Sequence, residues 1–443
     1  MKRTKLITLS VILTMTFGII GMGVVPLKTS AQTTEKIGLL SPMTGGLGIL
    51  GPSFENGATL AIEHLNDMGL GVTFTLVTQD TATSATGAAA GATNLVAAGV
   101  KAVVGAAASS ATLAAIPILM AAGIPQISYA STSPSITEYQ DNGYLFRVVP
   151  SDKFQGRAGG LLLHTAGATS VAIAGIDDPY GQGLVGAFVE AYQAIDASYI
   201  IATNQAYNQE TTTDFTGIVQ SLVDASADAI YLVSFLDDGA AIINGLATAG
   251  YTGPIFGTDG IASNDIFTIQ GITASMEGTV GTAPKVTGTT DFVSQYNTRF
   301  GNDPDIFVAE AYDATMIAGK AIVEAGTSAT GAEIRDAVTT VGTNYAGASG
   351  TISFDTNGDI EGGSYDVWQA QSGTLVTVGG WSEGVLTLDE ATLDVTKWPV
   401  NPFAAAASSS DDEDGGFLPF SLPAFIIALF AVSTAFRRRR KNN

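Results

Sequence analysis

Two successive series of alternating strand and helix patterns constrain this chain more than any other feature. In the first, β-rich runs at 36–41, 72–79, 102–106 and 125–129 alternate with helical patterns at 53–66, 83–98 and 110–122. After Phe146-Arg147-Val148-Val149-Pro150 the alternation restarts. Helix 154–166, strand 171–176, helix 183–194, strand 199–204, helix 214–225, strand 229–235, helix 239–249 and strand 254–258 follow in order. Such alternation predicts parallel sheets flanked by helices, and its two rounds predict two α/β lobes of similar size. Beyond them the pattern is less regular, with helices at 290–300, 308–324 and 332–341 and a hairpin-like pair at 350–354 and 365–371.

The two ends read differently from this body. Lys2, Arg3 and Lys5 precede an apolar stretch from 6 to 25, and Thr29-Ser30-Ala31 offers small residues for cleavage, the pattern of an export signal or N-terminal anchor over 1–31. Residues 404–416 form a small-residue and acidic linker. Residues 417–436 are an uncharged, mostly apolar run of twenty, closed by the basic tail 437–443. Twenty helical residues span about 30 Å, the hydrocarbon core of a bilayer, and a basic flank stays cytoplasmic. The expectation is a body on the extracellular face of the cell membrane, held by a C-terminal transmembrane helix. The tail is similar to the tripartite sorting tails of archaeal surface proteins.

Charge and composition exclude several functions. Of the 19 Lys and Arg, four precede residue 32 and five close the chain, leaving ten against all 41 Asp and Glu. The body is therefore more acidic than the whole-chain net charge of −22, and it repels nucleic acid and anionic lipid. With no cysteine, disulfides, thiolate catalysis, Cys-based zinc sites and an N-terminal lipid anchor are ruled out. His64 and His164 are the only histidines, and each reads as an ordinary helix residue.

Several motifs resemble cofactor sites only on paper. Gly46-Leu47-Gly48-Ile49-Leu50-Gly51 fits G-x-G-x-x-G with Asp80 as a ribose acid, but its glycines sit in a ten-residue loop instead of the tight turn a pyrophosphate needs. It reads as a loop at the rim of a cleft. Asp355-Thr356-Asn357-Gly358-Asp359 opens like a calcium loop, yet its twelfth position, Asp366, is not the expected glutamate, so a tight turn is expected. No G-x-S-x-G appears. No catalytic residue, metal or cofactor is expected.

The informative residues are spread over loops that follow strands. Gly105…Ser109-Ser110-Ala111-Thr112 opens an apolar helix, and hydroxyls with free N–H groups there suit a carboxylate. Ser128…Pro134, Asp178-Pro179-Tyr180-Gly181, Ser234…Asp238 and Gly257-Thr258-Asp259-Gly260 also follow strands, at the sheet edge where α/β folds bind ligands.

With Ile37…Gly45, Glu55-Asn56-Gly57 and Ala311-Tyr312-Asp313-Ala314, these marks make residues 35–395 resemble the type I extracellular solute-binding proteins. The resemblance is specifically to the leucine/isoleucine/valine-binding protein family of ABC transporters. It implies the two-lobed periplasmic-binding-protein type I fold, an α/β arrangement with a parallel sheet flanked by helices in each lobe. Residues 35–149 and 284–350 would form lobe 1, and 150–283 and 351–400 lobe 2, joined by three crossovers. By the same resemblance Ser109 and Thr132, with Ser110, Ser131 and backbone at Ala130, would meet a ligand carboxylate. Asp259 would meet its ammonium, Tyr180 and Phe235 would wall the second lobe, and Phe307 would line the side-chain pocket. Alanines 106–108 and Leu50 depart from the family pattern where the side chain is selected.

The function expected is capture of an amino acid, branched-chain or similar, and its delivery to an ABC permease, without catalysis. The rivals are an amide- or urea-binding or sensory receptor, and an exported NAD-dependent enzyme.

Overall fold

The computed structural model describes residues 33–285 and 288–403. The expected export segment, acidic linker, membrane helix and basic tail lie outside the described residues. Among those described, no helix is long and apolar enough to cross a membrane.

The first sheet holds β1 (Thr33–Ser41), β2 (Val72–Asp80), β3 (Ala102–Val104), β4 (Gln126–Ser128) and β5 (Leu145–Arg147), all parallel, in the order β2-β1-β3-β4-β5. The second begins with β6 (Ser170–Ile176), β7 (Ile200–Tyr207), β8 (Ala229–Val233), β9 (Ile255–Gly257) and β10 (Val280–Pro284). Their parallel order, β7-β6-β8-β9-β10, repeats that of the first. β11 (Tyr345–Ala346) and β12 (Thr351–Ile352) form a small antiparallel pair. β13 (Ser364–Gln371), β14 (Thr374–Ser382) and β15 (Val385–Leu388) then extend the second sheet as an antiparallel meander from β10.

Local chemistry accounts for these elements. Strands β3 (AVV) and β8 (AIYLV) are buried throughout, as strands covered by helices on both faces must be. Helix Gly51–Asp67 starts with Pro52 in its first turn and buries Phe54, Ala58, Ala61 and Leu65 along one stripe. That stripe meets helix Val308–Ala325, which also packs on β1, β3 and β4. The late helix thus returns to the first sheet, and the chain passes between the two halves after β5, after β10 and between β12 and β13. Both histidines are occupied structurally: His64 Nδ1 lies 2.8 Å from the Tyr312 hydroxyl and His164 Nδ1 lies 2.6 Å from that of Tyr199.

Three expectations need correction. The strand expected at 102–106 ends at Val104, and the following helix begins at Ser109, so Gly105–Ala108 form the turn between them. The pair expected at 350–354 and 365–371 is no hairpin: β12 pairs with β11, whereas β13 pairs with β10 and β14. Local alternation carries no information on partners, and here the better-buried partner for β13 is the distant β10. The meander strands β14 and β15 were not foreseen, because both are largely half-exposed and lack a continuous buried face that a sequence pattern would mark.

The turn at 355–359 is tight, as expected. Asp355 Oδ1 accepts from the backbone N–H of Asn357 and Asp359, at 2.7 and 3.0 Å. It delivers Asp359 to Arg147, which is fully buried. Arg147 donates to both carboxylate oxygens, at 2.6 and 2.9 Å, and its remaining N–H groups reach Thr137 Oγ1 and the carbonyls of Ser131 and Ser133. One guanidinium therefore ties the end of β5, the loop after β4 and a turn more than 200 positions away. Arg147→Met should destabilise the fold by about 3–5 kcal/mol, because it strands the Asp359 charge. Urea unfolding measures this, and Arg147→Met/Asp359→Asn should recover part of the loss.

Candidate functional site

In the order β2-β1-β3, the connections leaving β1 and β3 diverge to opposite faces of the sheet, and the same holds at β6 and β8. Ligands of open α/β sheets bind outside the carboxyl ends of the strands at such a switch point. Both switch points open here onto one narrow chamber of about 30 Å³ free volume.

From the first half, Leu47 and Leu50 in the loop after β1 line this chamber, with Phe54 behind them, Ala107, Ala108 and Ser109 after β3, and Ala130 after β4. Ile306 and Phe307 complete that side. Tyr180 after β6, Phe235 after β8, and Asp259 and Gly260 after β9 form the opposite wall. Of the residues singled out from sequence, Ser109, Ala130, Tyr180, Phe235, Asp259 and Phe307 therefore meet in one place. Ser110, Ser131 and Thr132 do not line it. Ser131 Oγ bonds the carbonyls of Ala106 and Ala107, bracing the turn after β3. Ser110 lies close enough to the Asp178 carboxyl to favour its charged form. Thr132 Oγ1 is buried beside Asp152, near enough to favour its charged form but without a hydrogen bond of ordinary geometry.

Each wall is built to a purpose. Ser109 is the first residue of helix Ser109–Ala121, whose cap Ala108 supplies no side-chain bond, so the backbone N–H groups of the first turn have no capping side chain. The Ser109 hydroxyl accepts from the Ser133 N–H at 3.2 Å. Opposite, the Tyr180 hydroxyl donates to Asp259 Oδ1 at 2.8 Å, and its ring stacks on Phe235 at 5.4 Å with planes 9° apart. Gly260 fits because a Cβ there would stand 2.2 Å from the Ser234 carbonyl oxygen. Phe307 holds φ at +63°, a left-handed conformation that costs a bulky residue on the order of 1–3 kcal/mol. Its ring faces the chamber despite that strain.

Sequence reasoning missed Asp152, the first residue of helix Asp152–Thr165, and Gln155 one turn on, because burial of an acid leaves no local signal. Asp152 is fully buried and neither of its oxygens makes a hydrogen bond of ordinary geometry. Burial raises its carboxyl well above the usual range, and the nearby charge of Asp259 raises it further. Burial raises Asp259 too, against the favourable bonds from Tyr180 and Gln155.

The glycine-rich loop serves as a rim. Asp80, the would-be ribose acid, instead accepts from Thr44 Oγ1 at 2.7 Å and from the Ala82 N–H at 2.7 Å, pinning that loop. The halves touch around the chamber. Ser133 Oγ donates to the Pro179 carbonyl at 2.6 Å, and a Cβ on Gly46 would fall 1.7 Å from Gln209 Nε2. Ser109, Tyr180 and Asp259 are at most 6% exposed, so a solute can enter only when the halves separate.

Two α/β halves closing on a shared, largely apolar crevice with a helix N-terminus on one wall and a buried acid on the other have the architecture of a solute-binding protein. The chain belongs to the periplasmic binding protein family, whose model matches residues 34–374, and specifically to its type I, leucine/isoleucine/valine-binding branch. It is 26% identical over 348 residues to the leucine-, isoleucine-, valine-, threonine-, and alanine-binding protein of Pseudomonas aeruginosa, covering 76% of this chain and 90% of that one. It is 25% identical to Leu/Ile/Val-binding protein homolog 3 of Brucella melitensis, over 79% and 94% of the two chains. The leucine binding protein LivK of Thermotoga maritima superposes with a TM-score of 0.71 at 27% identity, over 79% of this chain and 99% of that chain. LivJ of Streptococcus pneumoniae, solved with isoleucine, gives 0.69 at 25% identity, over 80% and 100%. As members of a solute-binding family, these relatives place the chain outside enzyme chemistry.

Two outcomes follow from this geometry. Gly183 sits where a Cβ would approach Pro134 Cδ at 2.7 Å and Ser133 Oγ at 3.0 Å across the halves. Gly183→Leu should hold them apart and weaken solute affinity roughly tenfold or more, as read by calorimetry, since a ligand gains only from the closed form it prefers. The second concerns pH. Burial pushes Asp238 up to about 7, Asp313 up to about 6 and Glu310 up to about 8, and raises Asp152 and Asp259 as well. In the unfolded chain these groups titrate near 4. Between about pH 5 and 8 the folded state then holds more protons, so its stability falls as pH rises. Carboxyls lowered by the fold, such as Glu63 beside Arg299, act oppositely but at lower pH. Thermal unfolding should give a higher Tm at pH 5 than at pH 8.

Proposed function

We propose that this chain captures an amino acid between its two halves and presents it to an ABC permease, held at the outer face of the membrane by residues 417–436. One observation carries the reading: the helix N-terminus at Ser109 and the Asp259 carboxylate stand on opposite walls of one buried chamber. An α-amino acid is a zwitterion and needs donors on one side and an anion on the other. Its carboxylate would take the Ser109 hydroxyl and the N–H groups of that first turn, with the backbone at Ala130. Its ammonium would take Asp259, which Tyr180 holds in position.

The side chain would rest on Leu47, Leu50, Phe54, Ile306 and Phe307, an apolar set that suits a small aliphatic group. Relatives named for leucine, isoleucine and valine agree with this preference. The role of Ser110, Ser131 and Thr132 is to support the donor wall: Ser131 braces the turn after β3, and Thr132 stands beside Asp152. Binding favours ionised Asp259, so affinity should weaken on acidification while the empty fold gains stability. The lobe boundaries expected from sequence are retained in this reading, with hinge motion about the three crossings.

A thermal-shift screen of the full chain against amino acids, amides and aromatic acids tests the proposal. A true ligand at 100 times its Kd adds about 2.7 kcal/mol of stability. In Asp259→Asn, calorimetry should show amino-acid binding weakened by about 3–5 kcal/mol, because the ammonium is left unpaired in a closed site. An amide ligand would tolerate that change, and unaltered affinity in the variant would reject the zwitterion assignment.

A further inference from the structure

A second, larger chamber of about 470 Å³ opens at the rim of the same crevice, a size ordinary for small-molecule sites. Gly45 and Gly46 line it from the first half, and Glu210, Phe215, Asp237 and Asp238 from the second. It adjoins the inner chamber on both sides. Gly46 precedes Leu47 of the inner wall, and Asp237 follows two positions after Phe235.

Three of its lining residues are acids, and none is Lys, Arg or His. In so acidic a protein, exposed carboxylates alone would mean only a solvated surface. Asp238 differs. It is 5% exposed, its Oδ2 accepts from the Tyr207 hydroxyl, and its Oδ1 makes no hydrogen bond of ordinary geometry, with only the backbone N–H groups of Phe235 and Asp238 near the carboxyl. A buried carboxylate oxygen left unpaired is costly unless something completes it. Phe215 borders the same space, its ring set edge-on to Tyr207 at 5.3 Å and 88°. An anion beside an aromatic ring is the chemistry that recognises an ammonium or guanidinium group. Among the described residues no trio of His, Cys, Asp or Glu could hold a metal ion, which favours an organic cation.

We propose that this outer chamber binds an organic cation, an ammonium or guanidinium, with Asp238 as its charge partner, Phe215 as its apolar face and Glu210 and Asp237 as an attracting rim. Where the amino-acid reading also holds, on which this extension rests, a solute with an amino-acid head and a cationic tail would occupy both chambers. Such a solute would lay its aliphatic stem on the same apolar wall and add the outer contact, so it would bind more tightly than one whose side chain ends in the inner chamber.

The test titrates the detergent-solubilised full chain calorimetrically with L-leucine, L-arginine and agmatine, which has a guanidinium and an amine but no carboxylate. Arginine should bind at least tenfold more tightly than leucine, and Asp238→Asn should erase that ratio. Agmatine titrated into Asp259→Asn reports the outer chamber alone, and its affinity should fall at least tenfold when Asp238→Asn is added. If Asp238→Asn fails to fold by circular dichroism, the exposed pair Glu210→Gln/Asp237→Asn replaces it, with a several-fold loss expected. Agmatine affinity indifferent to these changes, or an arginine-to-leucine ratio near one, overturns the proposal. Should no amino acid bind at all, the amino-acid reading falls, and the agmatine titrations still decide the outer chamber.

Discussion

Everything in this molecule follows from the need to cover both faces of a parallel sheet. A parallel strand can be reached only through a crossover long enough to hold a helix, so helices occupy both faces and the only uncovered ground is at the strand ends. In both halves the order 2-1-3-4-5 sends the connections from the first and third strands to opposite faces. The gap they leave at the carboxyl ends is the crevice. Two such gaps set face to face make a closed chamber, and the three chain crossings keep them in register.

The electrostatics of that chamber run against burial. Asp152 and Asp259 are both buried, both raised, and near enough to oppose one another. The buried Arg147 lowers Asp152 somewhat but is itself committed to Asp359. Around the site the protein therefore sets more buried carboxyl groups than it supplies cations to pair with them. An arrangement of this kind stabilises a bound cationic group strongly and makes the empty fold sensitive to pH, which are two expressions of the same uncompensated desolvation. Asp238 repeats the theme at the rim, with Tyr207 as its only side-chain partner.

The sheets of the two rounds were readable because period-2 and period-3.6 patterns are local. β1, β2, β6 and β8 and most of the helices appear near their expected positions. The site was partly readable for a related reason: loops after strands in an α/β chain must gather at one edge, so the loops that carry Ser109, Tyr180, Phe235 and Asp259 could be chosen from strand order, while those residues within them were singled out by the family resemblance. Leu47 and Ile306 were not, since a leucine in a glycine-rich loop and an isoleucine in an irregular segment look like any other apolar residue. Thr132 shows the opposite failure. It lies in the right loop, yet its hydroxyl points to Asp152 and not into the chamber lining.

By itself the sequence determined the number of α/β rounds, the absence of thiol chemistry, the strongly acidic body and which loops could carry a site. Each of these depends on composition or on neighbours within one turn or one pleat. Tertiary structure alone decided that β13 joins β10, that Arg147 finds Asp359, and that the carboxylates of Asp152, Asp238 and Asp259 are withdrawn from water. Those outcomes depend on contacts between residues tens to hundreds of positions apart, whose energies come from shared burial and charge, and no local pattern encodes them.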